Sequence, residues 1–590
     1  MTSVKISAIM GKSKDSTLLE EDMDKKMKIA IVGMTVAILG IVIGIVVSLV
    51  NKMTPSNEVM LLTDYYKVED SEVIIILHDE IYEKSGIMSD GTVYIDYDTV
   101  KNEFNHRFYW DDKENILTYT TPTEIIRADA ASSKYSVTKS LIKTESDYDY
   151  PIIKLYGEEV YIALDFVEKH SDFTSRFYVD PNRVVIDYKW GDYLFTEVTK
   201  ATQLRLEPSI KSPVLMQLPV GQELMYVLKE EAPQKGFAKV MTKDGIMGFV
   251  KEKSVKESYY KTVESTYKPQ EYTTQTRPDK INLVFHQVFN KDAAGKLEEL
   301  IKQTKGVNVI SPTWFSLNDV SGTFSSLASE EYVDKAKSLG LEVWALIDDF
   351  NSDVDKYELL SHTSRRDTLS NSLLEVAMQY KINGINIDFE NIPSKAGEHY
   401  IQFLRELSVK CRNNGIVLSV DNYIPAPYNQ HYNRKEQGEI LDYIIVMAYD
   451  EYYAGSDVAG PVASIGFVKD AIYNTLEEVP KEKTIIAVPF YSRLWKETPE
   501  GDVSSESFAM TPASNIFKDN GVEPEWDDNY GSYYGEYEKD DTFYKMWLED
   551  EKSIEEKMKE IYKANVAGIG AWKLGLEKEE VWNVIIKYMN

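Results

Sequence analysis

The chain has 590 residues, of which 43% are apolar, and its 96 acidic against 66 basic residues give a formal net charge of −30. This length predicts roughly three to five domains with cores of their own. The acidic balance, with no basic cluster outside the N-terminal region, argues against nucleic acid as a partner, because phosphate groups are bound by lysine and arginine.

Residues 29–50, IAIVGMTVAILGIVIGIVVSLV, form a run without a charged side chain. As a helix the run is about 33 Å long, enough to cross a bilayer, and no signal-peptide cleavage site follows it. Three lysines lie just before the run and only one follows closely, so the positive-inside rule places residues 1–28 in the cytoplasm. We therefore expect a single-pass cell-membrane protein with its later domains on the extracellular face. The alternative is a buried helix of a soluble protein.

Residues 73–190 contain an internal repeat, in which the stretch 93–119 matches the stretch 160–188. Each copy predicts a strand, a short helix, a strand, a turn and a strand. The turns fall at Asp111-Asp112 and at Asp180-Pro181-Asn182. We therefore expect an α+β repeat module, and neither copy carries a catalytic constellation.

This repeat resembles the copper amine oxidase N-terminal-like domain, a non-catalytic module of bacterial surface proteins. His106 and His170 do not fall at metal-ligand spacing. The resemblance therefore implies no copper here, and we expect both histidines at the surface.

Residues 194–256 predict many short strands, with a hairpin turn at Asp244-Gly245 between alternating apolar residues. The pattern from LRLEPS to DGIMGFV resembles a bacterial SH3-like domain, a small all-β barrel that often binds cell-wall peptide. Phe237 stands where a tryptophan is common, so a ligand-binding role and a spacer role both stay open. Residues 257–278 are polar without apolar periodicity and predict a linker.

From residue 279 onward, apolar strand-like runs alternate with amphipathic helical stretches, which predicts a (β/α)8 TIM barrel over 279–590. A doubly wound sheet is the alternative, but no glycine-rich phosphate loop favours it. The eight runs are 281–288, 307–312, 341–348, 382–390, 416–423, 443–450, 484–490 and 568–575.

The fourth run, GINIDFE, alternates polar with apolar residues. Asn386, Asp388 and Glu390 share one face of the strand, and the apolar residues between them share the other. We expect the apolar face against the surrounding helices and the polar face inside the barrel, with Glu390 at the carboxyl end where barrel enzymes place their chemistry. Carboxylates buried this close are costly, which favours a catalytic site over a salt-bridged structural cluster.

The stretch NGINIDFE resembles the D-x-x-D-x-D-x-E signature of glycoside hydrolase family 18, the chitinase-like enzymes. MAYD at 447–450 is similar to the M-x-Y-D of that family, and Trp572 matches the tryptophan that floors its sugar site. GINIDFEN is most similar to the branch of spore-cortex-lytic and related peptidoglycan-active enzymes. The resemblance covers residues 279–590.

The resemblance implies a retaining, substrate-assisted hydrolysis in which the N-acetyl group of the sugar is the nucleophile. Glu390 would be the general acid and later the base, and Asp388 would orient the acetamido group and stabilise the oxazolinium ion. Tyr449 would donate to the acetamido carbonyl. Burial and the charge of Asp388 are expected to raise the pKa of Glu390. The implied substrate-binding residues are Asn386, Met447, Asp450, which would hold the distorted sugar, and Trp572, which would stack beneath it.

Asn383 and Asn386 occupy positions where chitinases usually carry aspartate. Asn386 can hydrogen-bond Asp388, but it cannot share a proton with it as a second acid. The cell-wall branch commonly has asparagine there, so the resemblance implies a changed pH profile rather than lost activity.

Residues 491–566 form an insertion rich in aromatic and acidic residues, which predicts either a wall of the glycan cleft or the small core of a subdomain. Weaker cleft candidates are Trp344, Asn422, Tyr423 and Arg493. Cys411, the single cysteine, is expected to be buried on a helix, with a catalytic thiol as the alternative.

These observations favour a membrane-anchored extracellular enzyme that cleaves glycans containing N-acetylglucosamine, most naturally peptidoglycan. The alternatives are a non-catalytic protein of glycan binding or envelope morphogenesis, and a chitinase or an endoglycosidase of N-glycans. The expected partners are peptidoglycan or another N-acetylglucosamine polymer and the membrane. No metal motif and no cofactor motif is present in the sequence.

Overall fold

A computed structural model describes residues 14–68, 72–227 and 236–589. The chain divides into two compact units, one of Met1–Val93 with Asp172–Thr266 and one of Tyr94–Ser171 with Tyr267–Asn590. Residues 1–13 of the predicted cytoplasmic segment and residues 228–235 of the predicted SH3-like domain lie outside the described residues. The domain boundaries and the names of the two modules before the barrel remain predictions.

The first unit begins with a long helix, Lys14–Met53. Its portion Glu21–Met53 contains an apolar run long enough to cross a membrane, and the apolar side chains of this run are exposed. The predicted apolar helix is therefore present. A short helix, Leu62–Tyr66, follows it.

Two sheets follow in the first unit. In one, Glu72–Leu77 pairs in parallel with Arg183–Asp187 and antiparallel with Glu80–Ile81 and Gly86–Ser89, and Thr174–Tyr178 covers the far edge. The other sheet has seven strands: Gly191–Glu197, Thr202–Arg205, Val214–Leu218, Glu223–Tyr226, Phe237–Met241, Met247–Lys251 and Tyr259–Val263.

The second of these sheets bears on two sequence predictions. The predicted hairpin joins Phe237–Met241 to Met247–Lys251. The predicted linker 257–278 instead contains the strand Tyr259–Val263, which pairs with Gly191–Glu197. Its residues YYKTV are aromatic or β-branched at four of five positions and suit a strand even without strict alternation.

The second unit begins with the rest of the repeat. An antiparallel five-stranded sheet runs in chain order, and we call it the docking sheet: Phe108–Asp111, Ile116–Thr120, Ile125–Asp129, Lys134–Lys139 and Ile142–Asp147. Around it lie Thr92–Asp96, Tyr97–Thr99, Val100–Phe104, Ile153–Tyr156, Glu159–Ala163 and Leu164–Lys169. Each repeat copy thus has the predicted strand, helix, strand, turn and strand.

The docking sheet contacts the barrel helices through buried polar groups. Arg127 pairs with Asp367 and, at 3.1 Å, with Glu406. The hydroxyl of Tyr109 lies 2.7 Å from Nδ1 of His399. Asp111 accepts hydrogen bonds from the backbone and the hydroxyl of Thr363, both at 2.6 Å. The sheet is therefore part of the same folded unit as the barrel.

The two histidines of the repeat differ in environment. His106 is exposed, as expected, and its Nε2 lies 3.3 Å from a carboxylate oxygen of Glu436. His170 was expected at the surface, and this is wrong. Its ring packs against Tyr119 and Phe166 and its Nε2 is buried, which lowers its pKa to about 4.

Eight parallel strands close into a barrel, which confirms the predicted TIM barrel. We number them barrel strands 1 to 8: Ile281–His286, Val309–Leu317, Glu342–Asp348, Gly384–Asp388, Val417–Asn422, Tyr443–Met447, Thr484–Pro489 and Gly568–Trp572. Neighbours in the chain pair with one another, and barrel strand 8 pairs with barrel strand 1, which excludes an open doubly wound sheet.

Helices cover the outside of the barrel, and several begin at a residue whose side chain accepts a backbone N–H: Ser329, Ser464 and Asp550. Cys411 is 1% exposed on the helix Gly397–Asn413, which joins barrel strands 4 and 5. It is therefore buried on a helix, as expected, and burial raises the pKa of its thiol. The helices are Lys291–Gly295, Leu297–Ile301, Glu330–Ser338, Lys356–Ser361, Thr363–Gln379, Gly397–Asn413, Arg434–Ile440, Ile465–Leu476, Glu551–Ala564 and Glu579–Ile585.

The barrel interior is filled at its amino-terminal end. Trp344 is fully buried there and stacks on Tyr443 with ring centroids 5.2 Å apart. Gly384 leaves room for this ring, because a Cβ at that position would lie 2.7 Å from Cδ1 of Trp344. The interior is therefore packed at this end, and space for a ligand is confined to the carboxyl ends of the strands.

The insertion after barrel strand 7 is smaller than predicted. Its sheet is built from Tyr491–Glu497, Val503–Ala509, Glu525–Asp527, Ser532–Lys539 and Thr542–Leu548, with the helix Met510–Asp519 beside it. Leu494, Phe517 and Met546 form its core, and several aromatic residues of the segment pack against them. The insertion ends at 548 rather than 566, because Asp550 caps the barrel helix Glu551–Ala564.

Candidate active site

A cavity of about 630 Å³ opens at the carboxyl ends of the barrel strands, a size suited to a small ligand or a few sugar units. Side chains from barrel strands 4, 5, 6, 8 and 1 converge on it. They include Asp388, Glu390, Asp421, Tyr423, Met447, Tyr449, Asp450, Trp572 and Phe285. All the sequence-predicted site residues except Asn386 therefore line one cavity.

Barrel strand 4 orients its side chains as its alternation predicts. Asn386 is fully buried and Asp388 is 5% exposed, while the apolar residues between them pack in the outer core with the helices. The charges that act most strongly on Asp388 are those of four carboxyls, Asp421, Glu390, Asp349 and Asp348. Barrel strand 4 therefore does not form the salt-bridged structural cluster that was the alternative to a catalytic site.

Glu390 is held from two sides. Its backbone N–H donates to Oδ1 of Asp349 at 3.0 Å, and the next backbone N–H, that of Asn391, donates to Oδ2 at 3.1 Å. The hydroxyl of Tyr423 donates to Oε2 of Glu390. Asp349 is 1% exposed at the end of barrel strand 3. Asp349 thus fixes the backbone of Glu390 from one side, and Tyr423 fixes its carboxyl from the other.

Burial raises the pKa of Glu390, the hydrogen bond from Tyr423 lowers it, and the charges of Asp349, Asp450 and Asp348 raise it. The expected rise in the pKa of Glu390 is present, and burial is its largest cause. Burial also raises the pKa of Asp388 well above its usual range, and Asp421 and Glu390 raise it further.

Asn386 does not make the expected hydrogen bond to Asp388. Its Nδ2 donates to Oδ2 of Asp421 at 2.7 Å, and its Oδ1 accepts from the hydroxyl of Ser419, also at 2.7 Å. Both partners belong to barrel strand 5, which pairs with barrel strand 4 at Asn386 and Ser419. The amide therefore joins the two strands instead of contacting its neighbour along the chain.

Barrel strand 6 contributes Met447, Tyr449 and Asp450. Burial and the charges of nearby carboxyls raise the pKa of Tyr449 well above its usual range, so its hydroxyl stays a proton donor. Oδ1 of Asp450 accepts from the hydroxyl of Tyr491 at 2.7 Å and from Nη2 of Arg493 at 3.2 Å. The first strand of the insertion thereby orients Asp450 without reaching the cavity itself.

Aromatic side chains floor and rim the cavity. The ring of Trp572 lies 5.4 Å from that of Phe285. Phe350, Tyr428 and Tyr453 line the cavity and are 56%, 78% and 57% exposed. Sequence reasoning missed these three, although each lies in a segment that follows a barrel strand. Exposed aromatic faces at a polar cavity suit stacking on sugar rings.

Of the four weaker sequence candidates, two contact site residues and two lie away from the cavity. Tyr423 lines the cavity and contacts Glu390, and Arg493 contacts Asp450. Trp344 fills the opposite end of the barrel. Asn422 donates to Gln437 at 2.6 Å, outside the cavity. Within 14–68, 72–227 and 236–589, no group of three or more His, Cys, Asp or Glu side chains has the geometry to hold a metal ion.

The family model described as Glycosyl hydrolases family 18 matches residues 256–577, more than half of the chain. The chain belongs to glycosyl hydrolase family 18. The matched range contains all eight barrel strands and the whole cavity, including the three residues on which the signature rests, Asp388, Glu390 and Tyr449.

Two curated proteins from Bacillus subtilis are similar in sequence to part of this family 18 chain. A cortical fragment-lytic enzyme is 26% identical over 249 residues, covering 41% of this chain and 57% of its own length. A protein provisionally named sporulation-specific glycosylase YdhD is 28% identical over 235 residues, covering 37% of this chain and 53% of its own. The family 18 chain thus spans little more than half the length of either relative.

Among solved structures, the Bacillus cereus spore cortex-lytic enzyme SleL matches this family 18 chain with a TM-score of 0.48 and 18% identity. The match covers 55% of this chain and 79% of the SleL chain.

Proposed function

We propose that this protein hydrolyses a glycan that contains N-acetylglucosamine, with net retention and with Glu390 as general acid and base. One observation carries the proposal: Glu390 and Asp388 enter one cavity from the same strand, and burial raises the pKa of both carboxyls. A raised pKa lets a carboxyl keep its proton to higher pH, which favours donation of that proton to a leaving group.

In the proposed reaction, Glu390 protonates the glycosidic oxygen while the acetamido oxygen of the substrate attacks the anomeric carbon. The C–O bond to the leaving sugar breaks, and a cyclic oxazolinium ion forms. Asp388 orients the acetamido N–H and offsets the positive charge, and Tyr449 donates to the acetamido oxygen. Glu390, now ionised, takes a proton from water, which opens the ring and restores the acid.

Binding of the sugar at the cleavage point is assigned to three further residues. Trp572 offers an aromatic face, Asp450 is preoriented by Tyr491 and Arg493, and Met447 is 7% exposed beside them. Preorientation of a carboxylate lowers the cost of ordering it around a distorted sugar. Asn386 acts indirectly in this scheme, because it is fully buried and does not line the cavity.

Peptidoglycan is the proposed substrate, and the cell surface is the proposed location. The named activity of the cortical fragment-lytic relative and the apolar helix within Glu21–Met53 support this choice. An extracellular barrel on a membrane anchor would meet wall glycan. Protease treatment of intact cells tests the orientation: cleavage of the barrel without lysis is expected, and protection until lysis contradicts it.

The activity test uses the full chain in detergent with purified peptidoglycan and with chitin oligomers. Mass spectrometry should detect new reducing-end N-acetylglucosamine from peptidoglycan. The Glu390→Gln variant keeps the shape of the side chain but has no proton to donate, so its rate should fall by about 10²-fold or more.

Three results decide the assignment. Products from peptidoglycan with the native chain alone support a wall glucosaminidase. Cleavage of chitin oligomers only would replace peptidoglycan by chitin as the substrate. Binding of glycan without products from either polymer would contradict an enzyme and favour a glycan-binding protein.

A further inference from the structure

Asp421 is a buried carboxyl that the family signature does not account for. It lies on barrel strand 5, is 2% exposed, and lines the same cavity as Asp388 and Glu390. The signature instead expects its second carboxyl at position 386, where this chain has asparagine. The number of buried carboxyls in the site is thus kept, while one of them comes from a different strand.

Hydrogen bonding links the two positions directly. Nδ2 of Asn386 donates to Oδ2 of Asp421 at 2.7 Å, and Ser419 fixes the other end of the amide at 2.7 Å. The orientation of the amide follows from these two partners, because only its nitrogen can donate. Asp421 is therefore held in place by the residue that replaces the signature aspartate.

Asp388 and Asp421 each have one buried oxygen, Oδ1, without a hydrogen-bond partner. Asp388 and Asp421 directly follow Ile387 and Val420, which pair across barrel strands 4 and 5. The strongest charges acting on Asp388 are acidic, and the largest of them is that of Asp421. Two adjacent buried carboxyls that repel one another do not both ionise, and they hold one proton between them.

We propose that Asp421 is a positioning residue that shares one proton with Asp388, and that it thereby replaces from barrel strand 5 the carboxyl missing at position 386. The inference rests on the proposed function for its catalytic meaning, but the shared proton itself does not depend on substrate. Since Oδ2 of Asp421 accepts from Asn386, the proton of Asp421 sits on Oδ1.

The shared proton gives Asp388 a charge when the reaction needs it. As the oxazolinium ion forms, the proton passes from Asp388 to Oδ1 of Asp421. Asp388 becomes the anion that faces the new positive charge, and Asp421 becomes the neutral acid. The pair keeps one proton and one negative charge throughout, so nothing is exchanged with solvent in this step.

Other titratable groups face the pair from the neighbouring elements. Glu390 follows barrel strand 4, Asp348 ends barrel strand 3 and Asp349 comes directly after it, and Tyr449 follows barrel strand 6. Tyr400 of the helix Gly397–Asn413 also feels both charges. Each carboxyl among them opposes a second negative charge on the pair, and none supplies a cation that would let both ionise.

Asp421→Asn tests the proposal through the direction of a pH shift. The amide oxygen still accepts from Asn386, but position 421 can no longer take up a proton. Asp388 must then lose its proton to solvent from a buried site, so the acidic limb of kcat should move to higher pH. At the native optimum kcat should fall about tenfold or more with KM nearly unchanged.

If Asp421 only repelled Asp388 and shared no proton with it, Asp421→Asn would have the opposite effect on the acidic limb. Removal of the carboxyl would lower the pKa of Asp388 and move the acidic limb to lower pH. That result, or an unmoved limb, would overturn the proposal.

The double variant Asn386→Asp with Asp421→Asn supplies the matched control. It reverses the polarity of the same hydrogen bond and moves the carboxyl back to barrel strand 4. We expect it to recover most of the lost kcat and to return the acidic limb towards the native position. A double variant as impaired as Asp421→Asn would contradict the exchange of roles.

Infrared spectroscopy of the full chain without substrate separates this inference from the proposed function. At neutral pH, native-minus-variant spectra for Asp421→Asn and for Asp388→Asn should each show the loss of a protonated carboxyl C=O band. A chain that keeps this signature yet cleaves no glycan would refute the function and leave the pair standing. A chain that cleaves glycan without the signature would overturn the pair.

Discussion

The carboxylate of Asp349 accepts the backbone N–H of Glu390 at 3.0 Å, so the end of barrel strand 3 fixes the proposed acid on barrel strand 4. Its second oxygen accepts the next N–H, that of Asn391, at 3.1 Å. Two charge-assisted bonds to consecutive backbone donors define the direction in which Glu390 leaves the strand. Asp349 does not line the cavity, yet it would set the geometry of the proposed proton transfer from Glu390.

Asp349→Ala should lower kcat more than it changes KM. The substitution leaves two backbone N–H groups without their acceptor, which costs about 1–3 kcal/mol each in the free energy of unfolding when they stay buried. Asp348→Ala is the matched control, because Asp348 bonds Ser316 and Phe350 rather than Glu390. Steady-state kinetics on both variants would contradict the account if the two lost kcat equally.

Tyr423→Phe should move the basic limb of the pH–rate profile to higher pH. The hydrogen bond from Tyr423 stabilises ionised Glu390 and lowers its pKa, so its removal raises that pKa. A general acid works only while protonated, and the variant therefore stays active to higher pH. The profile of kcat/KM measures this, and a limb that moves to lower pH would show that Tyr423 does not tune Glu390.

Asn386→Asp should move the acidic limb of the pH–rate profile to higher pH. The new carboxyl faces Asp421 at hydrogen-bond distance and adds a buried negative charge near Asp388. This charge raises the pKa of Asp388, which then ionises only at higher pH. An unchanged curve would discard the idea that position 386 tunes Asp388.

Glu406→Gln should destabilise the unit that contains the barrel. Glu406 is fully buried and pairs with Arg366 at 3.2 Å and with Arg127 of the docking sheet at 3.1 Å. Breaking a buried ion pair costs about 3–5 kcal/mol in the free energy of unfolding, which in a unit of this size should lower Tm by about 4–6 °C.

The control for this prediction is Glu398→Gln. Glu398 pairs with Lys101 of the segment Val100–Phe104 beside the docking sheet, but it is about half exposed. Exposed pairs contribute about 0–1 kcal/mol, so calorimetry should show little change in Tm. Equal shifts for the two variants would contradict a buried anchor at Glu406.

Much of the site could be predicted because a strand has a side-chain period of two. The alternation in GINIDFE places Asp388 and Glu390 on the inner face, as observed. The same alternation in VLSVDNY places Ser419, Asp421 and Tyr423 together, so the sequence contained a signal for them. The fifth run contains a single carboxyl, so its alternation alone does not indicate a catalytic pair.

Other contacts could not be predicted because they join distant parts of the chain. Asp349 reaches Glu390 across 41 positions, and Arg127 reaches Asp367 across 240. Local pattern carries no information on such pairs, which depend on how strands and helices pack. The docking sheet for the same reason was predicted as part of a separate module.

The most direct test of the account follows the anomeric form of the first product by NMR during cleavage of an N-acetylglucosamine oligomer. Participation by the acetamido group predicts that the β-linked substrate first releases the β-anomer, and that Asp388→Asn slows this release strongly. Equal cleavage of a de-N-acetylated oligomer, or first release of the α-anomer, would contradict the proposed mechanism.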